Sequence, residues 1–191
     1  MRNVIFFILL ILPPPVWADR ADDLARAAEE RATHFVLYDP SYRSIAYPMG
    51  DVAPNRGVCT DVVIRAYRAL GIDLQQLVHE DMRRSFSSYP AIWGLSRPDP
   101  NIDHRRVPNL EVFFARHGQS LPASDKPEDY LPGDVVSWRL DNGRPHIGIV
   151  TSRISRDGVP LIAHNIGWGT RVEDMLFDYK ITGHFRFTDL R

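Results

Sequence analysis

Apolar residues recur every three or four positions in the first half of the chain, a spacing that predicts amphipathic helices. One helix is expected to begin at Thr60 and to end at Leu70, because the following Gly71 is a common helix stop. Residues 44–48 are typical of a short extended segment, whereas residues 87–108 are rich in proline and polar residues and predict no regular element. The predicted helices cover residues 19–36, 60–70, 74–84 and 109–117.

The second half of the chain has a different pattern, with short runs of β-branched and aromatic residues. The runs are DVVSWRL, HIGIVTS, VPLIAHN and GHFRF, at residues 134–140, 146–152, 159–165 and 183–187. Turn sequences such as DNGRP and RDG separate them, which is typical of antiparallel strands joined by hairpins. Helices come first and an antiparallel sheet follows, so the predicted fold class is α+β.

The start of the chain has the features of a cleaved export signal. Arg2 precedes an apolar run over residues 4–12, and Ala18 ends a small-residue site of the kind that signal peptidases favour. The run is shorter than the roughly 20 residues of a membrane span, so no stable membrane insertion is expected after cleavage. A retained N-terminal anchor is the alternative. We therefore predict a signal peptide at residues 1–18, one domain over residues 19–191, and a periplasmic or secreted location.

Composition narrows the possible classes of function. Hydrophobic residues make up 44% of the chain and charged residues 25%, with a formal net charge of −1, which are ordinary values for a globular domain. No basic stripe interleaved with aromatic residues is visible in the sequence, which argues against a nucleic-acid partner. The sequence contains no HExxH motif or similar spacing of metal ligands, and we predict no cofactor and no metal. We expect a monomer.

Cys59 is the single cysteine of the chain and lies where a loop turns into the second predicted helix. An exported protein with one cysteine has no intramolecular disulfide, so the thiol is an inert buried group, an intermolecular bridge or a reactive group. Free backbone N–H groups and the positive end of the helix dipole favour a thiolate at this position. The sequence therefore predicts a lowered thiol pKa for Cys59.

Two histidines occupy the ends of neighbouring predicted strands. His146 begins one strand, His164 lies near the end of the next, and the RDG turn joins the two strands. If the strands pair, both side chains can project toward one point, and a helix packed across the sheet would bring Cys59 there. Asn165 replaces His164 in this group if the register differs by one residue, because successive side chains face opposite sides. A thiol, an imidazole and a polar group that orients the imidazole are the parts of a cysteine hydrolase.

The motifs GVCTDVV, LPGDVVSW and HIGIV, with an apolar strand that ends in histidine, resemble the NlpC-type branch of the papain-like cysteine peptidases. These bacterial enzymes cut peptide bonds in cell-wall peptides. The segments GVCTDVVIRAYRALGIDLQQLVHEDM, NIDHRRVPNL, HNIGWG and GHFRF are more closely similar to the exported bacterial family called domain of unknown function 1287. That closer resemblance covers nearly all of residues 19–191 and implies a papain-like fold with N-terminal helices packed on an antiparallel sheet.

The resemblance implies roles for particular residues. Cys59 would be the nucleophile, His146 the base and His164 the residue that orients it. Tyr47 stands at the spacing of a tyrosine that lines the oxyanion site in relatives, with the backbone N–H of Cys59 as the other donor. The chain departs from the pattern by having Val58 before the cysteine and Thr60-Asp61 after it, where relatives have aspartate and then serine-glycine. Residues 85–106 also have no counterpart in a minimal domain of this kind.

Other polar residues are candidates for substrate binding, each with a structural alternative. Asp61 can bind a substrate amine or serve as a hydrogen-bonding residue of the helix. His104 and Arg105 can hold a carboxylate at the groove, because arginine offers bidentate geometry, or belong to an ion-paired loop. Trp168 can wall the groove beside His164 or simply pack against apolar neighbours.

The predicted function is an exported cysteine hydrolase that cleaves an amide bond in peptidoglycan peptides, as an endopeptidase or an amidase. Its expected partner is therefore a cell-wall peptide substrate. Alternatives are a noncatalytic module that binds cell-wall peptide on the same fold, and a thiol acyltransferase in which an amine or alcohol replaces water. A zinc hydrolase with His146, His164 and Asp61 as ligands is a further alternative.

Overall fold

The structure, a computed structural model, describes residues 16–187. The predicted signal peptide lies outside the described residues except for its last three positions. Those three form the first turn of helix α1, so the predicted cleavage site after Ala18 falls within that helix.

Four helices form the first half, at nearly the predicted positions. They are α1 Val16–Arg31, α2 Cys59–Ala69, α3 Leu74–Ser85 and α4 Val107–His117. Helix α2 begins one residue earlier than predicted, and the Asp61 carboxylate accepts the Val58 backbone N–H at 2.7 Å, which caps its first turn. It ends at Ala69, and Gly71, two residues later, has a positive φ of 80° that suits glycine. Helix α1 stops before the predicted Val36.

A six-stranded antiparallel sheet forms the second half and confirms the α+β class. In spatial order its strands are β3 Gln119–Leu121, β8 Lys180–Arg186, β4 Val135–Arg139, β5 Pro145–Ile154, β6 Pro160–His164 and β7 Arg171–Glu173. A separate parallel ribbon joins β1 Leu37–Tyr38 to β2 Arg56–Gly57, directly before α2. The sequence pattern did not predict β1, β2, β3 or β7, because two- and three-residue strands carry almost no periodic signal.

Apolar side chains cover both faces of the sheet. Val135, Ile147 and Ile149 meet the helices in one core that also includes Cys59. On the other face Trp138 and Ile162 belong to a second core, with further buried apolar residues from the segment after β7. The sheet is therefore buried on both sides, and the ends of β5 and β6 lie where α2 begins.

Residues 87–108, for which the sequence predicts no regular element, are held in place by short 3-10 turns and polar contacts. The turns lie at Phe86–Ser88 and Asp103–Arg105, and the Arg106 guanidinium stacks on the Trp93 ring at 4.1 Å. In the segment predicted to be extended, residues 44–46 have no regular structure and residues 47–49 form a turn, with a cis peptide bond between Tyr47 and Pro48. Within residues 16–187, no helix has both the length and the apolar character needed to cross a membrane.

Candidate active site

His146 and His164 meet on one face of the sheet. The β5–β6 hairpin places their rings edge to face, with His146 Nε2 3.0 Å from His164 Nδ1, and both residues are buried. Gly148 permits this close approach, because a Cβ at that position would lie 2.6 Å from Ile162 Cγ2 and 3.2 Å from His164 Cβ. The predicted pairing of the two strands thus brings the two imidazoles together.

Glu173 adds a third group that sequence reasoning missed. His164 Nε2 lies 3.0 Å from Glu173 Oε2, and Arg171 Nη1 lies 3.3 Å from the other carboxylate oxygen, Oε1. Glu173 reaches His164 because β7 pairs with β6, with Arg171 directly opposite His164. Only the alternating charges of Arg171 and Glu173 hinted at a strand in the sequence, and three residues are too few to predict one.

Cys59 is the first residue of α2 and is only 6% exposed. Burial raises the pKa of its thiol to about 12, and the Asp61 carboxylate raises it further. Hydrogen bonds from the backbone N–H groups of Ile147, Thr60 and Cys59 itself act in the opposite direction but are outweighed. The prediction of a lowered thiol pKa is therefore wrong for the resting protein, because desolvation exceeds the effect of the helix terminus.

The two histidines are also shifted by burial. Desolvation, with a smaller contribution from His164, lowers the pKa of His146 to about 3. Burial likewise lowers the pKa of His164, although Glu173 counteracts the shift. Among residues 20–187 the His146 ring hydrogen-bonds His164 and makes no hydrogen bond to sulfur. The thiol of Cys59 and both imidazoles are therefore neutral in the resting protein.

A cleft of about 470 Å³ opens at His146. Its walls come from β1, from the β4–β5 turn, from the segment after β6 and from the residue before β8, and they include Tyr38, Arg144, Gly167 and Tyr179. Burial raises the pKa of Tyr38, the charge of Cys59 raises it further, and the Arg144 guanidinium lowers it. The hydroxyl of Tyr38 thus lies within electrostatic reach of both the sulfur and the cleft arginine.

Tyr47, the tyrosine proposed from the resemblance, lies elsewhere. Its ring packs against the His79 ring on α3, with centroids 5.1 Å apart, and it does not line the cleft of Tyr38 and His146. The reason is topological: the β1–β2 ribbon places residue 38 beside the start of α2, and the chain then turns toward α3 before it reaches residue 47. Tyr47 therefore lies beside α3 and away from the cleft.

Asp61, His104 and Arg105 lie at the first turn of α2 and do not line the cleft. Arg105 Nε and Nη2 each lie 2.9 Å from a carboxylate oxygen of Asp61, and both side chains are almost fully buried. His104 is buried beside them, and desolvation lowers its pKa to about 3. The predicted substrate contacts of these three residues are corrected to structural roles, the alternative that the sequence also allowed.

The residues that follow His164 have separate environments. Asn165 Oδ1 accepts the Gly167 backbone N–H at 3.0 Å, so His164 is the residue that contacts the His146 ring. Trp168 is 82% exposed, which contradicts packing against apolar neighbours. It sits between Gly167 at the cleft and Gly169, whose backbone approaches the Val36 carbonyl, and its own ring does not line the cleft.

The described residues contain no evident set of metal ligands. Across residues 20–187, no group of three or more His, Cys, Asp and Glu side chains is arranged to hold a metal ion.

Comparison with solved structures identifies the fold. The chain aligns with a crystal structure of an N-acetylmuramoyl-L-alanine amidase from Bacteroides uniformis ATCC 8492 at a TM-score of 0.53 and 13% identity, over 87% of this chain and 97% of that chain. NlpC1 from Trichomonas vaginalis aligns at a TM-score of 0.47 and 17% identity over 88% of this chain, which spans only 44% of that protein. The protein therefore shares its α+β fold with that amidase.

The chain belongs to the family described as Domain of unknown function (DUF1287), whose sequence profile matches residues 25–187. It is also 52% identical over 179 residues to the uncharacterized protein YijF of Escherichia coli (strain K12), covering 92% of this chain and 87% of that protein. Family membership agrees with the resemblance carried by the sequence motifs.

Proposed function

We propose that the protein is a cysteine hydrolase that cleaves an amide bond, with Cys59 as nucleophile and His146 as base. The observation that carries the proposal is the proximity of the Cys59 thiol to the backbone N–H of Ile147, the residue directly after His146, which acts to lower the thiol pKa. The main chain at the start of β5 thus connects the thiol region to the imidazole, and His146, though not Cys59, lines a cleft that can admit a substrate. His164 and Glu173 extend the arrangement behind the imidazole.

The proposed reaction begins with the neutral groups of the resting site. His146 Nδ1 takes the thiol proton while the sulfur adds to the amide carbonyl carbon. The C–N bond then breaks as the imidazolium returns the proton to the departing amine, which leaves a thioester on Cys59. Water loses a proton to the same nitrogen, attacks the thioester and releases the acid and the thiol. Because the resting ring does not hydrogen-bond the sulfur, we propose that this contact forms when substrate fills the cleft.

The tetrahedral intermediate requires donors for its oxygen. The backbone N–H of Cys59, at the start of α2, is one candidate, because the first N–H groups of a helix have no partner within it. We propose the hydroxyl of Tyr38 as the other donor, in place of Tyr47. Tyr38 borders the cleft and is electrostatically coupled to the sulfur, which the side chain of Tyr47 is not.

Peptidoglycan peptides are the proposed substrates. The fold is shared with a protein whose name is N-acetylmuramoyl-L-alanine amidase, and the chain begins with a predicted export signal that would take it to the cell wall. Arg144 supports a substrate with a carboxylate near the scissile bond. It lines the cleft and, among residues 20–187, its guanidinium makes no ion pair. It therefore takes the role that the sequence suggested for Arg105.

We propose that the protein is exported and acts in the periplasm or outside the cell, with one catalytic domain after residue 18. A noncatalytic peptide-binding module and an acyltransferase use the same cleft and are distinguished by their products. A binding module releases nothing, whereas a transferase joins the acyl group to an added amine or alcohol.

The test is digestion of purified peptidoglycan fragments by the wild-type protein, Cys59→Ala and His146→Ala, followed by mass spectrometry. We expect hydrolysed peptides with the wild type only. Trp168→Ala is a folded-protein control, because its exposed ring contacts neither the histidines nor the sulfur. Product formation by Cys59→Ala at the wild-type rate would remove Cys59 from the mechanism, and binding without products from any form would favour the noncatalytic module.

A further inference from the structure

Glu173 stands at the end of a continuous row of hydrogen-bonding groups behind the proposed base. The row runs from Glu173 Oε2 to His164 Nε2, and from His164 Nδ1 to His146 Nε2, with both contacts at 3.0 Å. We infer that Glu173 is a positioning residue that determines which nitrogen of His146 carries the proton. This inference rests on the proposed function of His146.

The argument follows from the donors and acceptors in the row. An ionised carboxylate can only accept, so the proton of a neutral His164 lies on Nε2, next to Glu173. His164 Nδ1 is then left with a lone pair and accepts. His146 Nε2 must supply the proton for that second bond, which leaves a lone pair on His146 Nδ1. The nitrogen that is free of the row is therefore the one able to take a proton from the thiol.

The surroundings of Glu173 keep its carboxylate in this accepting role. Its side chain is 39% exposed, whereas that of His164 is 2% exposed, so the negative charge sits at the solvated end of the row. Arg171 binds the second oxygen and shares the strand that pairs with β6. The negative end of the row is therefore solvated and paired with Arg171, while the two imidazoles are buried.

Without a group that can only accept, the hydrogen bonds of the row can run in either direction. If His164 donates from Nδ1, His146 accepts at Nε2 and carries its proton on Nδ1, where it cannot remove the thiol proton. Glutamine at position 173 has nearly the same shape but can donate as well as accept, so it permits both directions. Glu173→Gln therefore tests proton placement while preserving side-chain volume.

The first measurement does not depend on activity. Nitrogen-15 NMR of the imidazoles in the full chain at neutral pH distinguishes the two neutral tautomers. We expect protons on Nε2 of both His146 and His164 in the wild type, and a mixture of tautomers in Glu173→Gln. The exposed Glu128→Gln is the matched control and is expected to leave the spectrum unchanged. A proton on Nδ1 of His164 in the wild type overturns the inference, even if Glu173→Gln fails to fold.

The second measurement uses turnover of the wall-peptide substrate. We expect Glu173→Gln to lower kcat by about 10- to 100-fold, the range found for carboxylates that orient metal-bound histidines, with little change in KM. Loss of a charge that raises the pKa of His164 should also alter the acid side of the pH profile, which a purely structural role would not do. Unchanged kcat and pH profile in Glu173→Gln contradict the inference. Full activity of Cys59→Ala contradicts the proposed function instead.

Discussion

Asp61 and Arg105 form a bidentate ion pair beneath the first turn of α2, with two N···O distances of 2.9 Å and almost no exposure to solvent. The same carboxylate caps the helix by accepting the Val58 N–H. The pair thus joins the segment before α4 to the residue that precedes the proposed nucleophile. The ion pair stabilises the start of α2, and neither of its charges is available to a substrate.

Removal of Arg105 should therefore destabilise the fold. We expect Arg105→Met to lower the free energy of unfolding by about 3–5 kcal/mol, because Asp61 is left as a buried charge without its partner. Chemical denaturation of the purified protein measures this. The double substitution Asp61→Leu with Arg105→Met should be less destabilised than the sum of the two single changes. A loss below about 1 kcal/mol in Arg105→Met would indicate an exposed, weak pair.

Acid should destabilise the protein from about the ordinary histidine pKa downward. His104 and His146 have folded-state pKa values of about 3, so between there and about 6.5 the unfolded chain binds more protons. Stability is fully present above this window and falls as pH decreases, by up to about 1.4 kcal/mol per pH unit for each histidine. Denaturation of His104→Gln between pH 4.5 and 6.5 should show a shallower decline, whereas exposed His34→Gln should follow the wild type.

Alkylation of Cys59 should report a protonated resting thiol. With a thiol pKa of about 12, the rate of reaction with iodoacetamide should rise with pH through pH 9 and stay below that of a cysteine peptide. The chain has one cysteine, so mass spectrometry of the labelled protein is unambiguous. A rate that reaches a plateau below pH 7 would mean that a thiolate is already present in the resting site.

The two tyrosines are expected to differ as oxyanion donors, because Tyr38 is proposed to donate and Tyr47 is not. We expect Tyr38→Phe to lower kcat by about 100-fold, the usual effect of removing one donor to an oxyanion, and to leave KM nearly constant. Tyr47→Phe is the matched control, because its ring packs on His79 and should be kinetically silent. Steady-state kinetics on the wall peptide decide between them, and a silent Tyr38→Phe would exclude that hydroxyl as a donor.

Arg144 should discriminate between substrates by charge. For a peptide with a carboxylate beside the scissile amide, Arg144→Gln is expected to raise KM by about 10-fold, because a charged hydrogen bond is lost. The corresponding carboxamide peptide should be almost unaffected. Asp141 lines the same cleft, and Asp141→Asn should improve use of the carboxylate peptide. Equal effects of Arg144→Gln on both peptides would argue against direct carboxylate binding.

The fold class and the histidine pair could be predicted because their signals are local. Helical spacing marked α2 to within one residue, and alternation along HIGIV and VPLIAH marked β5 and β6. Once two such strands are joined by a short hairpin, the two-residue period determines which side chains share a face. The meeting of His146 and His164 follows from that period, and so does the separation of Asn165 from the pair.

Tyr38, Glu173 and Arg144 could not be selected in the same way. Each reaches the site from a two- or three-residue strand or a turn, where the chain carries too few residues to show a period. For Arg105 the sequence could not decide between a substrate contact and an ion pair, for a related reason. A basic residue in a polar segment is usually exposed, and its burial against Asp61 depends on a contact between distant parts of the chain.

The amino-acid sequence by itself determined the elements, the family and the residue types that can perform thiol chemistry, because these depend on patterns among near neighbours. Tertiary structure alone decided the protonation of those residues. The helix terminus at Cys59 favours a thiolate, yet packing removes water from the sulfur and raises its pKa to about 12. Desolvation depends on every atom that surrounds the group, so it appears only after the chain has folded.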